Sequence, residues 1–350
     1  MQKTKTILLA LVMALALCLS ACGQTQTDPK PDTSDNANVS DVQQPDAEGS
    51  ELEPVTIHNF NMETTYDSIP ERIVSLSYSE TEILVALGLS DKIVGIAEAE
   101  NTSDVVMEQY REEVEALNVF ASASDGNGVP TLEAVLSLSP DFVYGTSYSF
   151  NSTYGVGDVS DFQNNGINVY AATSTYKKGC TLEDTYQDIL NIGAIFRVEE
   201  RAQELVDELK AGVSEIQEKI VDADPVTVFI YGGGEDNAIA YFSTSYQGHL
   251  TAVAGGENIF AGDETTSAGR MGWESIVEAN PDYIVIIDDA VAPADDAIEF
   301  LKSLPEMQNV TAIQENNFVA VPIEQYGFGS LSNVNAVRTL AEGLHPECFQ

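Results

Sequence analysis

Apolar and polar positions follow three rhythms along this chain. Ile7–Leu19 is an unbroken apolar run, ILLALVMALALCL, preceded by Lys3 and Lys5. A charged start ahead of so short a run predicts an export signal over residues 1–21, not a spanning helix. Residues 22–54 carry Gln, Thr, Asp, Pro, Ser and Asn and almost no large apolar residue. Such a stretch cannot bury enough surface to offset its ordering entropy, so it is expected to be a tether with an r.m.s. span of roughly 30 Å. From residue 55 onward, short apolar runs alternate with helical patterns. Strands are predicted at Arg72–Leu76, Lys92–Ile96, Phe142–Tyr144 and Gly166–Tyr170, then at Val226–Tyr231, Tyr283–Ile287 and Phe318–Val321. Helices are predicted from Thr81 to Gly88, over His249–Gly255 and over Val334–Gly343. Repeated β-α-β order implies an α/β fold with mostly parallel sheets and helices on both faces.

The pattern also repeats. TLEAVLSLSPDFV at residues 131–143 and GWESIVEANPDYIV at residues 272–285 share a Glu, an aliphatic pair, and Pro-Asp seven residues after the Glu. Each copy reads as a short helix with Glu in its first turn, where the helix dipole favours it, stopped by Pro and followed by a buried strand. Two copies imply two similar lobes, at residues 55–178 and 224–350. Between them, residues 179–223 form helix almost throughout, with one expected break at Ile192-Gly193. The stretch Glu199–Val221 alone would extend roughly 35 Å and act as a stiff spine.

Composition narrows the function. Fifteen Lys and Arg stand against 56 Asp and Glu, giving a formal net charge of −41. No basic footprint exists for a nucleic acid, and an anionic membrane surface would repel the chain. An enzyme reading finds no support. Tyr144-Gly145-Thr146-Ser147-Tyr148-Ser149 lacks the second Gly of a nucleophile elbow, and Gly232–Gly234 is not followed by Lys-Ser/Thr as a phosphate loop requires. His58, His249 and His345 are too scattered to form a metal site. Four Cys occur, and for Cys180 and Cys348 the sequence leaves pairing open.

Two resemblances add to this reading. Leu19-Ser20-Ala21-Cys22-Gly23 resembles the lipobox of bacterial lipoproteins, which implies cleavage before Cys22 and acylation of its thiol; two acyl chains give stable anchoring. A plain cleaved signal is the alternative. The folded part resembles the solute-binding lipoproteins of ABC importers for iron–siderophore complexes, haem and cobalamin. The resemblance is carried by Arg72–Leu76 with Thr81–Leu84, the two Glu-x6-Pro-Asp repeats, Gly166–Tyr170, the spine, Ala254–Phe260 and Leu344–Glu347. It implies two Rossmann-like lobes bridged by a single long rigid helix, with ligand between them.

Ligands of open α/β sheets lie beyond the carboxyl ends of the strands. Candidate ligand-binding residues there are Tyr78, Tyr144, Tyr148, Tyr176, Tyr231, Arg270, Trp273 and Tyr326. Aromatic side chains combine wide apolar contact with one hydrogen bond, and Arg270 would meet an anionic group bidentately; a surface Arg among carboxylates is the other reading. The family resemblance also places Glu133 and Glu274 against arginines of the permease dimer. The resulting expectation is a monomeric, extracytoplasmic, lipid-anchored binding protein with no catalytic residues, metal site or cofactor of its own. Its ligand is read first as a ferric siderophore, with cobalamin and then haem as alternatives. An adhesive surface protein would explain the charge and tether but not the aromatic loops.

Overall fold

A computed structural model of the chain describes residues 53–98, 106–122, 129–262, 266–289 and 292–350. The predicted signal, Cys22 and nearly all of the tether lie outside these residues. Among the described residues no helix is long and apolar enough to cross a membrane.

The chain enters through a hairpin, β1 (Val55–Asn59) and β2 (Met62–Tyr66), whose tip residues Phe60 and Asn61 have φ of 51° and 58°. Two consecutive left-handed residues match the twist of a tight hairpin. This element was not anticipated, because its strands expose alternate polar residues and carry no apolar run.

The first lobe follows with β3 (Ile73–Ser75), α1 (Tyr78–Ala86), β4 (Ile93–Glu98), α2 (Glu108–Glu115) and β5 (Val119–Ser122). It continues with α3 (Leu132–Ser137), β6 (Phe142–Gly145), α4 (Val159–Gln163) and β7 (Asn168–Ala171). Its sheet is parallel throughout, ordered β5-β4-β3-β6-β7. Connections run outward to opposite sides from β3 and β6, so a topological switch point lies between those two strands.

Helices α5 (Leu182–Phe196) and α6 (Glu199–Lys219) join the lobes. The predicted helical connection is present but divided into two helices, and the break falls at Arg197, which adopts φ 59°, and not at Gly193. Gly193 lies inside α5. A Cβ there would stand 2.4 Å from the Cβ of Ala202 on α6, so the glycine permits close helix packing and does not interrupt the helix.

The second lobe contains β8 (Val226–Tyr231), β9 (Ala238–Tyr241), α7 (Tyr246–Val253), β10 (Gly256–Asn258), β11 (Ala268–Met271) and α8 (Trp273–Ala279). After these come β12 (Tyr283–Asp288), α9 (Ala294–Ser303), α10 (Thr311–Gln314), β13 (Phe318–Pro322), α11 (Ile323–Tyr326) and α12 (Asn333–Leu344). The sheet is ordered β11-β9-β8-β12-β13, with β10 also on β8. It is mixed, since β9 and β11 run antiparallel to their neighbours.

The repeated Pro-Asp has a structural meaning in both lobes. Asp141 accepts from the backbone N–H groups of Glu71 and Arg72 at 2.8 and 2.9 Å. Asp282 accepts from the N–H and hydroxyl of Thr227 at 2.9 and 2.6 Å. In each case the carboxylate fastens the strand being entered to the start of the central strand beside it.

Strand residues alternate between two cores. Ile73, Phe142, Tyr144, Val228, Ile230, Val285 and Ile287 belong to a cluster that runs through both lobes with α5, α6 and α12. Val74 and Val143 face a second cluster, and Phe229, Tyr231 and Ile286 a third. The shared inner cluster makes the two lobes one packed body. Cys180 is buried at the start of α5, Cys348 sits in the terminal turn, and both are free thiols.

Candidate functional site

The carboxyl ends of the strands face each other across a cleft with two adjoining chambers. The first, of about 300 Å³, is lined by residues following β3 (Leu76 to Ser79) and β6 (Thr146, Tyr148, Ser149), together with Val129, Pro130, Tyr154 and Val156. It therefore sits at the switch point of the first lobe, where α/β sheets place ligands. The second, of about 230 Å³, is lined by Ser174 to Lys178 after β7, and by Tyr241, Ser245, Gln247, Ser267 and Ile287 from the second lobe. Tyr148, Ile323 and Phe328 line both chambers and form the wall between them.

Large apolar side chains are exposed in the first chamber. Tyr148 is 53% exposed, Tyr154 60% and Val129 37%. Apolar surface grouped in one concavity marks a binding site in a way that scattered exposure does not.

The loops that carry these residues are held in shape by the protein. In the turn bearing Tyr148 and Tyr154, the N–H of Val156 donates to Ser149 O and that of Gly155 to Asn151 O. A Cβ on Gly155 would lie 2.2 Å from the carbonyl oxygen of Tyr148, so only glycine closes this turn. Ser147 fixes the turn to the next loop through its N–H and hydroxyl, at 2.8 and 2.9 Å from Thr175. Across the cleft, the N–H of Gly329 donates to Ser174 Oγ at 2.7 Å, and within the second lobe Gln247 Nε2 donates to Gly327 O at 3.2 Å.

Three of the eight predicted ligand residues, Tyr78, Tyr148 and Tyr176, line the cleft. The hydroxyl of Tyr176 points away from it, accepting from the N–H of Phe60 at 3.0 Å and from Asn59 Nδ2 at 3.3 Å. The hairpin tip thus sets the position of a cleft residue.

The other five are elsewhere. Tyr144 and Tyr231 are strand residues turned into the helix layers; Tyr144 stacks edge-on against Tyr170, and Tyr231 donates to Gly234 O. Tyr326 is fully buried, its hydroxyl 2.6 Å from Thr251 Oγ1. Trp273 packs on Tyr231 and Phe300 in the core of the second lobe, and its indole N–H donates to Glu235 O. Arg270 is exposed on β11 at the edge of the sheet and lines neither chamber. Cleft residues that sequence reasoning missed include Val129, Tyr154, Tyr241, Lys177 and Lys178. One signal was available, since Lys177-Lys178 is the only adjacent pair of basic residues in the chain.

Beneath the first lobe's rim lie carboxyls held away from water. Glu80, in the first turn of α1, is wholly buried and neither oxygen has a hydrogen-bond partner among the described residues. Burial pushes it up to about 7, its own backbone N–H opposing and the nearby Asp188 charge adding to the rise. Asp188 is pushed up to about 6 by burial, against hydrogen bonds from the hydroxyl and N–H of Thr173 and from the Tyr170 hydroxyl. Glu82 rises to about 7 for the same reason, although it accepts from the N–H of Met107.

Glu133 and Glu274 occupy equivalent places, each the second residue of its helix (α3 and α8). Both are exposed, and neither makes a hydrogen bond or ion pair among the described residues.

The chain is similar to known proteins. An ABC transporter substrate-binding lipoprotein of Bacillus subtilis, YvrC, itself uncharacterised, is 27% identical over 307 residues, spanning 86% of this chain and 88% of the relative. A cobalamin-binding protein of Halobacterium salinarum is 25% identical over 81% of this chain and 72% of its own length. The crystal structure of a periplasmic binding protein from Veillonella parvula superposes with a TM-score of 0.73, at 26% identity, over 84% of this chain and 98% of that one. All three are named as binding proteins. The periplasmic binding protein family matches residues 73–324, nearly the whole of both lobes with their connection, and the chain belongs to that family.

Proposed function

We propose that this chain is the ligand-capturing component of an ABC importer and that its ligand is a corrinoid. The observation that carries this reading is the first chamber: a concavity at the sheet's switch point, walled by exposed Tyr148 and Tyr154, with no cation among its lining residues. A broad, weakly charged metal chelate fits such walls better than a highly anionic one, because each uncompensated anion entering this first chamber would be desolvated without a partner. The curated relative from Halobacterium salinarum, named for binding cobalamin, supports the same choice. A ferric siderophore, the class put first by sequence, becomes the second reading, in its hydroxamate form. It is favoured by the hydroxyl and amide groups of Ser245, Gln247 and Ser267 in the second chamber.

In this reading Cys22 carries the lipid that holds the chain at the outer face of the membrane, and the tether lets the monomeric head reach its permease. Glu133 and Glu274 provide one exposed carboxylate per lobe, a two-point contact in which charge fixes orientation and on-rate more than affinity. Thermal shifts of the purified head with cobalamin, a ferric hydroxamate and haem test the ligand class. Cobalamin should raise the melting temperature most, and no shift with any of the three would contradict the importer reading. Metabolic labelling with a palmitate analogue tests the anchor; label should be lost in Cys22→Ser, and label retained would contradict it.

A further inference from the structure

The two chambers differ in chemistry as well as position. The first is walled by aromatic and aliphatic side chains. The second carries Lys177 and Lys178 beside the hydroxyls of Ser174, Thr175, Ser245 and Ser267. In a chain with a net charge of −41, the only adjacent basic pair faces this cleft. Lys177 is held by Asp184, which it also contacts as an ion pair, whereas Lys178 is exposed and has no ion pair among the described residues. Asp289 is close enough to Tyr241 on the opposite wall for its charge to help hold the phenol's proton, and Asp184 is the carboxylate paired with Lys177.

Resting on the reading of the chain as a chelate-binding protein, we propose that the cleft recognises its ligand in two parts. The first chamber takes the broad face of the chelate, against Tyr148 and Tyr154. The second takes an anionic, hydrogen-bonding arm of the same molecule, with Lys178 as the principal charge partner and Lys177 as a positioned second cation. Tyr148, Ile323 and Phe328 fit the waist between the two parts. Ligand class follows from this division: a metal chelate bearing one phosphate- or carboxylate-containing arm, not a compact symmetrical chelate and not one charged on every side. The negative field of the rest of the protein makes the lysine pair selective, since an arm that misses it meets carboxylates instead.

Corrinoids provide a matched pair of probes, because cobinamide keeps the ring of cobalamin and lacks its phosphate-bearing nucleotide arm. Calorimetric titrations of the full head with both should show cobalamin binding about tenfold tighter, the size expected of a charge-assisted hydrogen bond. Lys178→Gln should remove most of that advantage and leave cobinamide affinity unchanged. Raising salt severalfold should also narrow the gap. Lys210→Gln, on α6 away from the cleft, serves as the charge control. If cobalamin and cobinamide bind equally to the wild type, or if Lys178→Gln weakens both alike, the two-part cleft is wrong while the importer reading stands. If neither corrinoid binds, the same comparison is made with ferric hydroxamates with and without a carboxylate arm, and the same outcomes decide. If no chelate binds, the importer reading itself fails, and this inference falls with it.

Discussion

The side-chain amide of Asn333 donates to the backbone carbonyl of Phe328 at 2.8 Å. The same nitrogen donates to Gln325 O at 2.8 Å, while its oxygen accepts from the N–H of Ser330 and from the Tyr246 hydroxyl. Tyr246 in turn meets Thr185 on α5 at 2.7 Å. One buried amide therefore ties the loop bearing Phe328 to the helical connection between the lobes. Removing it leaves several buried backbone and hydroxyl groups unpaired, each costly in a dry site. Asn333→Ala should lower stability by about 2 kcal/mol in urea unfolding and weaken ligand binding through the displaced Phe328. Unchanged affinity would mean that this loop does not shape the cleft.

Glu80 predicts an inverted pH dependence. Its folded pKa, near 7, lies above the 4.5 of the unfolded chain. The folded state therefore holds the proton more tightly, and the stability this confers is full below pH 4.5 and lost as pH rises towards 7. Asp188 acts in the same direction up to about pH 6. Glu80→Gln keeps the shape and removes the titration. It should be more stable than wild type at pH 8, by roughly 1–3 kcal/mol, with the gap closing at pH 4.5. Melting curves across that range check this, and parallel pH profiles would show that Glu80 ionises freely.

Gly193 gives a test of the helical connection. In most exposed helix interiors Gly→Ala stabilises by roughly 0.5–1 kcal/mol. Here the new methyl would collide with Ala202, so Gly193→Ala should instead destabilise, by roughly 1–3 kcal/mol. Gly193→Ala combined with Ala202→Gly should recover most of that loss in a double-mutant cycle.

The exposed glutamates separate capture from delivery. Glu133→Ala/Glu274→Ala should retain ligand affinity and melting temperature, because neither side chain has a partner in the fold among the described residues. Uptake of ligand by cells carrying this pair should fall far below wild type. Normal uptake would remove the docking role.

How much of this was readable in the sequence can be followed residue by residue. The paired Pro-Asp repeats announced two lobes because Asp141 and Asp282 perform the same strand-fastening task, and equal tasks leave equal patterns. Tyr78, Tyr148 and Tyr176 line the cleft because they lie beyond strand ends, where side chains leave the core. Tyr144 and Tyr231 were misplaced by one or two residues. Strand side chains alternate between faces, so that small offset moves a ring from cleft to core. The short helix α11 turns Tyr326 inward, and Phe328 just beyond it lies at the cleft wall. Lys178 carried one sequence signal, its pairing with Lys177, but its neighbours come from both lobes and only the folded chain brings Ser245 and Ser267 into the same chamber. The hairpin β1–β2 was unreadable because its packing depends on Asn59, whose amide pairs with both polar groups of Ala171 across the edge of the sheet.

In the proposed function, the cleft between the lobes binds a metal chelate against Tyr148 and Phe328. Trp273 is a poor reporter of this, being packed in the second lobe's core away from both chambers, so calorimetry is the direct measurement. Cobalamin titrated into the head should bind once per chain, and Tyr148→Ala/Phe328→Ala should weaken it at least about tenfold with the fold intact. Binding that is unchanged in this double variant would contradict the account.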